Sequence, residues 1–169
     1  MHRDVTSQTR ISTTVKNNVI KLTILAFGFL SLAIRADLNL LQPLNFGTVA
    51  VVNNATTQSI TIDELGNYSI SSGLRTLEPG EPAIFEASGF PGNLQLFISS
   101  LITQANTNSV IYSPEQFTLT QLHTQSSVIT GGDGTAEIIV GGTMVTSGSG
   151  TLNFVDTTYT SDLRITINY

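Results

Sequence analysis

Leu163-Arg164-Ile165-Thr166-Ile167-Asn168-Tyr169 alternates apolar and polar side chains without a break. A period of two puts Leu163, Ile165, Ile167 and Tyr169 on one face and Arg164, Thr166 and Asn168 on the other, the pattern of a half-buried β-strand. The alternation runs to the last residue given. Because chain ends fray unless tied down, it predicts either a strand clamped inside a sheet or an edge that a partner contacts through main-chain hydrogen bonds.

The same period, carried mostly by Val, Ile, Thr, Phe and Tyr, recurs upstream and predicts strands over Asn45–Val52, Ser59–Asp63, Tyr68–Ser72, Ala83–Ser88, Leu94–Ser99, Ser109–Tyr112, Phe117–His123, Ala136–Val145, Thr151–Val155 and Leu163–Tyr169. Turn chemistry separates them: Leu65-Gly66-Asn67, Pro79-Gly80-Glu81-Pro82, Pro91-Gly92 and Gly131-Gly132-Asp133-Gly134. Polar, aperiodic stretches at Gln104–Ser109 and Gln125–Ser127 read as exposed loops. The pair Gly141-Gly142 inside the longest strand marks a bulge or a crossing between sheets. No helix is expected after residue 36. About ten short strands at regular spacing predict an all-β chain folded as an antiparallel β-sandwich, with a closed barrel as the alternative.

Ahead of the strands, Leu22–Ile34 is an apolar block preceded by Arg10, Lys16 and Lys21 and followed by Arg35-Ala36-Asp37. A basic region, about 7–15 apolar residues and a small residue at the cut site describe a secretory leader, whereas a membrane span needs about 20 apolar residues. Residues 1–36 are therefore expected to be a cleaved signal peptide and 37–169 a single β domain. No membrane span is expected after cleavage, and the protein is expected in the periplasm, at the cell surface or outside the cell.

From Asp37 onward there are eleven acidic residues against two basic ones, Arg75 and Arg164, and no Lys. That surface repels phosphate backbones, so a nucleic-acid partner is not expected. The absence of Cys excludes disulfides and thiolate chemistry, so the core must hold alone. Asn54-Ala55-Thr56 and Asn67-Tyr68-Ser69 match the glycosylation acceptor pattern but read as turn residues in a chain this rich in Asn, Ser and Thr.

Catalytic signatures are sparse. His123 is the one histidine after the leader and reads as a strand-end surface residue. Gly148-Ser149-Gly150 lacks the strand-to-helix context of a nucleophile elbow. Asp63-Glu64 are adjacent and would not straddle a glycosidic bond. The Gly-rich runs lack the lysine and following helix of a phosphate cradle. Asp133, Glu137, Asp156 and Asp162 are available to calcium, but their spacing fits no calcium loop. No enzyme activity, metal or cofactor is expected.

A set of short motifs recurs in order: Leu44-Asn45-Phe46-Gly47; Ile60-Thr61-Ile62 with Gly66-Asn67 and Ser71-Ser72-Gly73; Pro82-Ala83 with Phe85 and Ser88-Gly89; Asp133-Gly134-Thr135-Ala136; Val140-Gly141-Gly142-Thr143; and the ending Asp156–Tyr169. Over residues 44–169 the chain resembles a bacterial exported domain family of unknown function, which opens on an LNFG-like motif and closes with Tyr-Thr-Gly ahead of a Val-Thr-Val-Asn-Tyr-like strand. Ser161 departs from that pattern, standing where the family usually has Gly. The resemblance implies a secreted or surface-exposed sandwich of immunoglobulin or pilin-like form, with no catalytic residues to carry over. The function it points to is a structural or adhesion domain, a pilus-like subunit that assembles by β-strand addition with like subunits or a periplasmic chaperone. Leu38 and Leu40, ahead of Pro43, are the candidate donor segment; Leu163, Ile165, Ile167 and Tyr169 form the candidate edge. The alternative is a monomeric secreted module that binds glycan or protein through its loops.

Overall fold

The computed structural model describes residues 36–107 and 115–169. The expected leader and the expected strand at Ser109–Tyr112 lie outside the described residues. The described chain is all-β, with eleven strands: β1 (Asp37–Gln42), β2 (Thr48–Val51), β3 (Ser59–Ile62), β4 (Tyr68–Ile70), β5 (Leu74–Glu78), β6 (Ala83–Ser88), β7 (Gln95–Gln104), β8 (Thr118–Thr124), β9 (Ser127–Ile129), β10 (Ala136–Val145) and β11 (Asp162–Asn168). Every pairing is antiparallel.

The axis of the fold is β10. Val140 pairs with both Ala83 of β6 and Thr124 of β8, and Gly142 with both Ile62 of β3 and Leu122 of β8, so β6 and β3 share one edge while β8 takes the other. The handover from β6 to β3 falls at Gly141. A Cβ there would lie 2.1 Å from the Ile62 carbonyl oxygen and 2.6 Å from that of Asp63. Gly141 is therefore the point at which two strands abut end to end along one edge, and only a residue without a side chain fits between them. The glycine pair is a partner switch within a continuous strand.

One sheet runs β1-β6-β10-β3-β4 with β8 on the far edge of β10; a second runs β11-β7-β9; β2 and β5 form a ribbon. The sheets pack together as a β-sandwich around two apolar clusters. The larger joins Ala83 and Ala87 of β6, Leu96 and Ile98 of β7, Ala136, Ile138 and Val140 of β10 and Ile167 of β11, with Phe90 at one end. The smaller joins Ile60, Leu74 and Phe117, with Phe46, Tyr68, Met144, Phe154 and Tyr159 packed against it. Period two explains the sorting: along β7, Leu96 and Ile98 are buried while Phe97 and Leu101 face out. Removing side chains such as Ile60, Ile138 and Val140 from water contributes about 1.5–3 kcal/mol each.

On one flank β8 bridges the two main sheets. It pairs with β10, and the Leu119 N–H donates to the Ala105 carbonyl just beyond β7 at 2.8 Å. Between them lies a shallow cleft of about 240 Å³ lined by Ser100–Ile102 and Thr120–Leu122.

The strands expected at Ala83–Ser88 and Ala136–Val145 have those bounds. Others shift: Leu94–Ser99 extends to Gln104, and Ser127, expected in a loop, opens β9. Thr151–Val155 forms no strand. Its Thr151 hydroxyl is drawn to a carboxylate and Phe154 stacks at 4.9 Å on Phe117, leaving its backbone without a ladder. β1 forms where a short donor segment or an ordinary first strand was expected, while β9 and β5 had no expected counterpart, the Arg75, Leu77 and Glu78 of β5 breaking the apolar period.

Candidate functional site: two open edges and a buried carboxylate

The residues singled out for assembly lie on two edge strands in different sheets. β1 pairs only with β6, from Asp37 opposite Ser88 to Gln42 opposite Ile84, with a register shift between Leu40 and Gln42. β11 pairs only with β7 and holds register from Leu163 opposite Ile102 to Asn168 opposite Phe97. Among the described residues neither strand has a second partner. Both nonetheless feed one core: Leu38 from β1, and Ile165 and Ile167 from β11, pack into the larger cluster. Leu40 and Leu41 stay exposed, as does much of Tyr169. The Tyr169 ring sits edge-on to Phe90, centroids 5.2 Å apart, and ties the residue after β11 to the segment after β6. Leu163 is half-buried. Just before β11, the Ser161 hydroxyl donates to the Ala105 carbonyl at 3.0 Å.

A second constellation, not foreseen from the sequence, surrounds Glu115. This carboxylate is only 4% exposed. The hydroxyls of Ser147, Ser149 and Thr151 all donate to it, the last two at 2.5 Å, and Asn54 Nδ2 adds a contact at 3.4 Å. Hydroxyls at every second position of Ser147-Gly148-Ser149-Gly150-Thr151 converge on the carboxylate because Gly148 and Gly150, both at positive φ, curl the segment around it, and this spacing is the one sequence signal of the cluster. Asn54, 1% exposed, locks the same segment: Nδ2 donates to the Thr151 carbonyl at 2.8 Å and Oδ1 accepts the Gly148 N–H at 3.0 Å. Donation by the Ser147, Ser149 and Thr151 hydroxyls holds the Glu115 carboxyl below its ordinary value, against the opposing effect of burial. A carboxylate saturated in this way anchors a loop rather than moving a proton. The burial of Asn54 also removes it as a glycosylation acceptor.

His123 lies on β8 within a ladder that crosses three strands. Its Nε2 is 2.8 Å from Thr143 Oγ1 on β10, which is 3.0 Å from Thr61 Oγ1 on β3. The neighbouring Asp63 is spent on its own turn, accepting the N–H groups of Leu65 and Asn67 and the Asn67 side-chain amide, and these bonds from Asn67 lower its pKa. Among the described residues, no three His, Asp or Glu side chains gather as ligands for a metal. The Asp133 carboxylate caps the turn before β10 through the Thr135 N–H and hydroxyl, which lowers its pKa as well.

The outer face of the β11-β7-β9 sheet exposes Phe97, Leu101 and Ile129, at 53%, 58% and 65%. Register sets Asn168 and Ser127 beside Phe97 and Arg164 beside Leu101.

Residues 35–169 match the family described as Domain of unknown function (DUF4402), and the chain belongs to it. Neither the curated proteins nor the solved structures contain a match to this chain.

Proposed function

We propose that this member of the DUF4402 family is an exported structural or adhesion domain of the cell surface that engages its partners by β-strand addition, as a pilus-like subunit does. Its partners are like subunits or a periplasmic chaperone. One observation carries the reading: among the described residues β1 and β11 each have a single strand partner, in different sheets, while Leu38 and Ile167 pack into the same apolar cluster. An extended segment laid along either edge gains main-chain hydrogen bonds at once, and its alternate side chains reach a core already lined by Leu38, Ile165 and Ile167.

The test is assembly of the purified full-length chain. Strand addition predicts higher oligomers, or a complex with a co-expressed periplasmic chaperone, that disappear when Asp37–Leu41 is deleted while circular dichroism still reports a β fold. A monomer that ignores both the chaperone and the deletion rejects the reading.

The outward Phe97, Leu101 and Ile129 favour a second reading, a monomeric secreted module that binds glycan or protein across a flat sheet face. It predicts a ligand-dependent rise in melting temperature without oligomers, abolished by Phe97→Ser.

A further inference from the structure

We propose that β11 pairs edge to edge, antiparallel, with β11 of a second copy of this chain, about a two-fold axis at Ile165. The inference rests on the strand-addition reading and adds to it a second contact, between two accepting edges, that does not use Asp37–Leu41 and persists as a dimer when those residues are deleted.

Native sheets blunt their free edges with bulges, proline, lysine or very short strands. The other edges here carry such devices. β1 has the register shift before Gln42, with Pro43 immediately after it, and β4 and β9 are three residues long. β11 has a single register shift, between Asp162 and Leu163 at its very start; over the six residues Leu163–Asn168 its register with β7 is unbroken, that run contains no Pro, Gly or Lys, and its sole charge is Arg164.

The sequence of that edge is complementary to itself. A two-fold at Ile165 sets Leu163 opposite Ile167 of the second copy, Ile165 opposite Ile165, Arg164 opposite Thr166 and Asp162 opposite Asn168. Inward side chains therefore meet inward ones, and no like charges stand directly opposite. Shifting the axis to Arg164 would oppose the two guanidinium groups. The dimer joins two three-stranded sheets into one of six strands, each half still covering its own core. Self-complementary side chains in an isologous register are what select a second copy over an unrelated strand.

The chain has no cysteine, so introduced thiols report the contact without background. The full-length Arg164→Cys and Thr166→Cys proteins are purified separately, mixed and oxidised mildly, with Asn39→Cys on β1 as the control. Positions 164 and 166 lie on the outer face, and dichroism melts establish that each variant is folded. Opposed residues in the proposed register come within disulfide reach. The expected result is a severalfold excess of disulfide dimer in the mixture over either variant alone and over the control, with the chain lacking Asp37–Leu41 still sedimenting at twice the monomer mass. Crosslinking no better than the control in a chain that still assembles overturns the β11 pairing and leaves strand addition standing. A wild type that stays monomeric in every format overturns both.

Discussion

Asn54 Nδ2 donates to the Thr151 carbonyl oxygen at 2.8 Å, linking the segment after β2 to the segment after β10 across nearly a hundred residues of chain. The same side chain accepts the Gly148 N–H through Oδ1, and the Asn54 main-chain carbonyl accepts the Gly150 N–H at 2.7 Å, so one residue satisfies three backbone groups of a loop that has no ladder, two of them through its side chain. Truncation strands buried donors and acceptors, each costing about 1–3 kcal/mol. Asn54→Ala is therefore expected to destabilise the fold by about 3 kcal/mol, read from the urea midpoint at unchanged slope. Asn54→Asp, which sets a second carboxylate beside Glu115, is expected to cost more.

Glu115 makes stability depend on pH in a defined direction. Its folded pKa lies below the ordinary 4.5 because three hydroxyls hold the ionised form. A group of this kind supports the fold fully above the unfolded value and loses that support as pH falls through the lower folded value. Wild-type stability is thus expected to decline below about pH 4.5, with Asp63 and Asp133, also depressed, adding to the slope. In Glu115→Gln the decline should be shallower, starting from lower stability at pH 7. Urea titrations at pH 7 and pH 3 check this; identical slopes for the two proteins would refute it.

The strands legible in the sequence are those whose neighbours cover them. β6 and β10 sit inside a sheet, so nearly every position is constrained and the apolar pattern runs to the ends of each strand. Thr151–Val155 misleads because alternation reports which side chains want burial, not whether the backbone finds a partner. There Phe154 joins an aromatic cluster with Phe117 and Tyr159, Leu152 and Val155 stay exposed, and Thr151 serves Glu115. β5 hides for the opposite reason, since its register comes from β2 while Leu77 points to solvent. The Glu115 cluster left one local trace, the alternating hydroxyls of Ser147–Thr151, but their meeting with Glu115 and Asn54 was not legible, because it joins residues far apart in the chain through the route of β10. Of the two open edges, β11 was legible as a strand and β1 only as a donor segment or an ordinary first strand, and the openness of both belongs to sheet order, which no local pattern encodes.

Gly141 offers a steric test of the partner switch. An alanine Cβ would collide with the Ile62 and Asp63 carbonyls, both fixed in the sheet, so relief requires β3 to withdraw from β10. Gly141→Ala is expected to cost about 3 kcal/mol, at the upper end of overpacking penalties, and to increase hydrogen exchange at Ile60–Ile62. Gly132→Ala is the control: no atom lies within 4 Å of its Cβ, and its stability should move by no more than about 1 kcal/mol.

Phe90 and Tyr169 close the larger core from opposite sheets. Phe90 follows β6 and is buried; Tyr169 follows β11, and its ring stands at 85° to that of Phe90. Edge-to-face pairs of this kind contribute about 0.5–1.5 kcal/mol beyond the area they bury. A double-mutant cycle with Phe90→Leu and Tyr169→Leu should return a coupling of about 1 kcal/mol, whereas a cycle of Phe90→Leu with the distant Leu77→Ala should return none. Because Asn168 is the last residue paired to β7, the Tyr169 contact is what keeps the end of the open edge from fraying. Tyr169→Leu is therefore expected to raise hydrogen exchange at Ile167 and Asn168 more than at Arg164. Uniform exchange along β11 would mean that the ladder alone holds the strand and that the aromatic pair contributes only buried area.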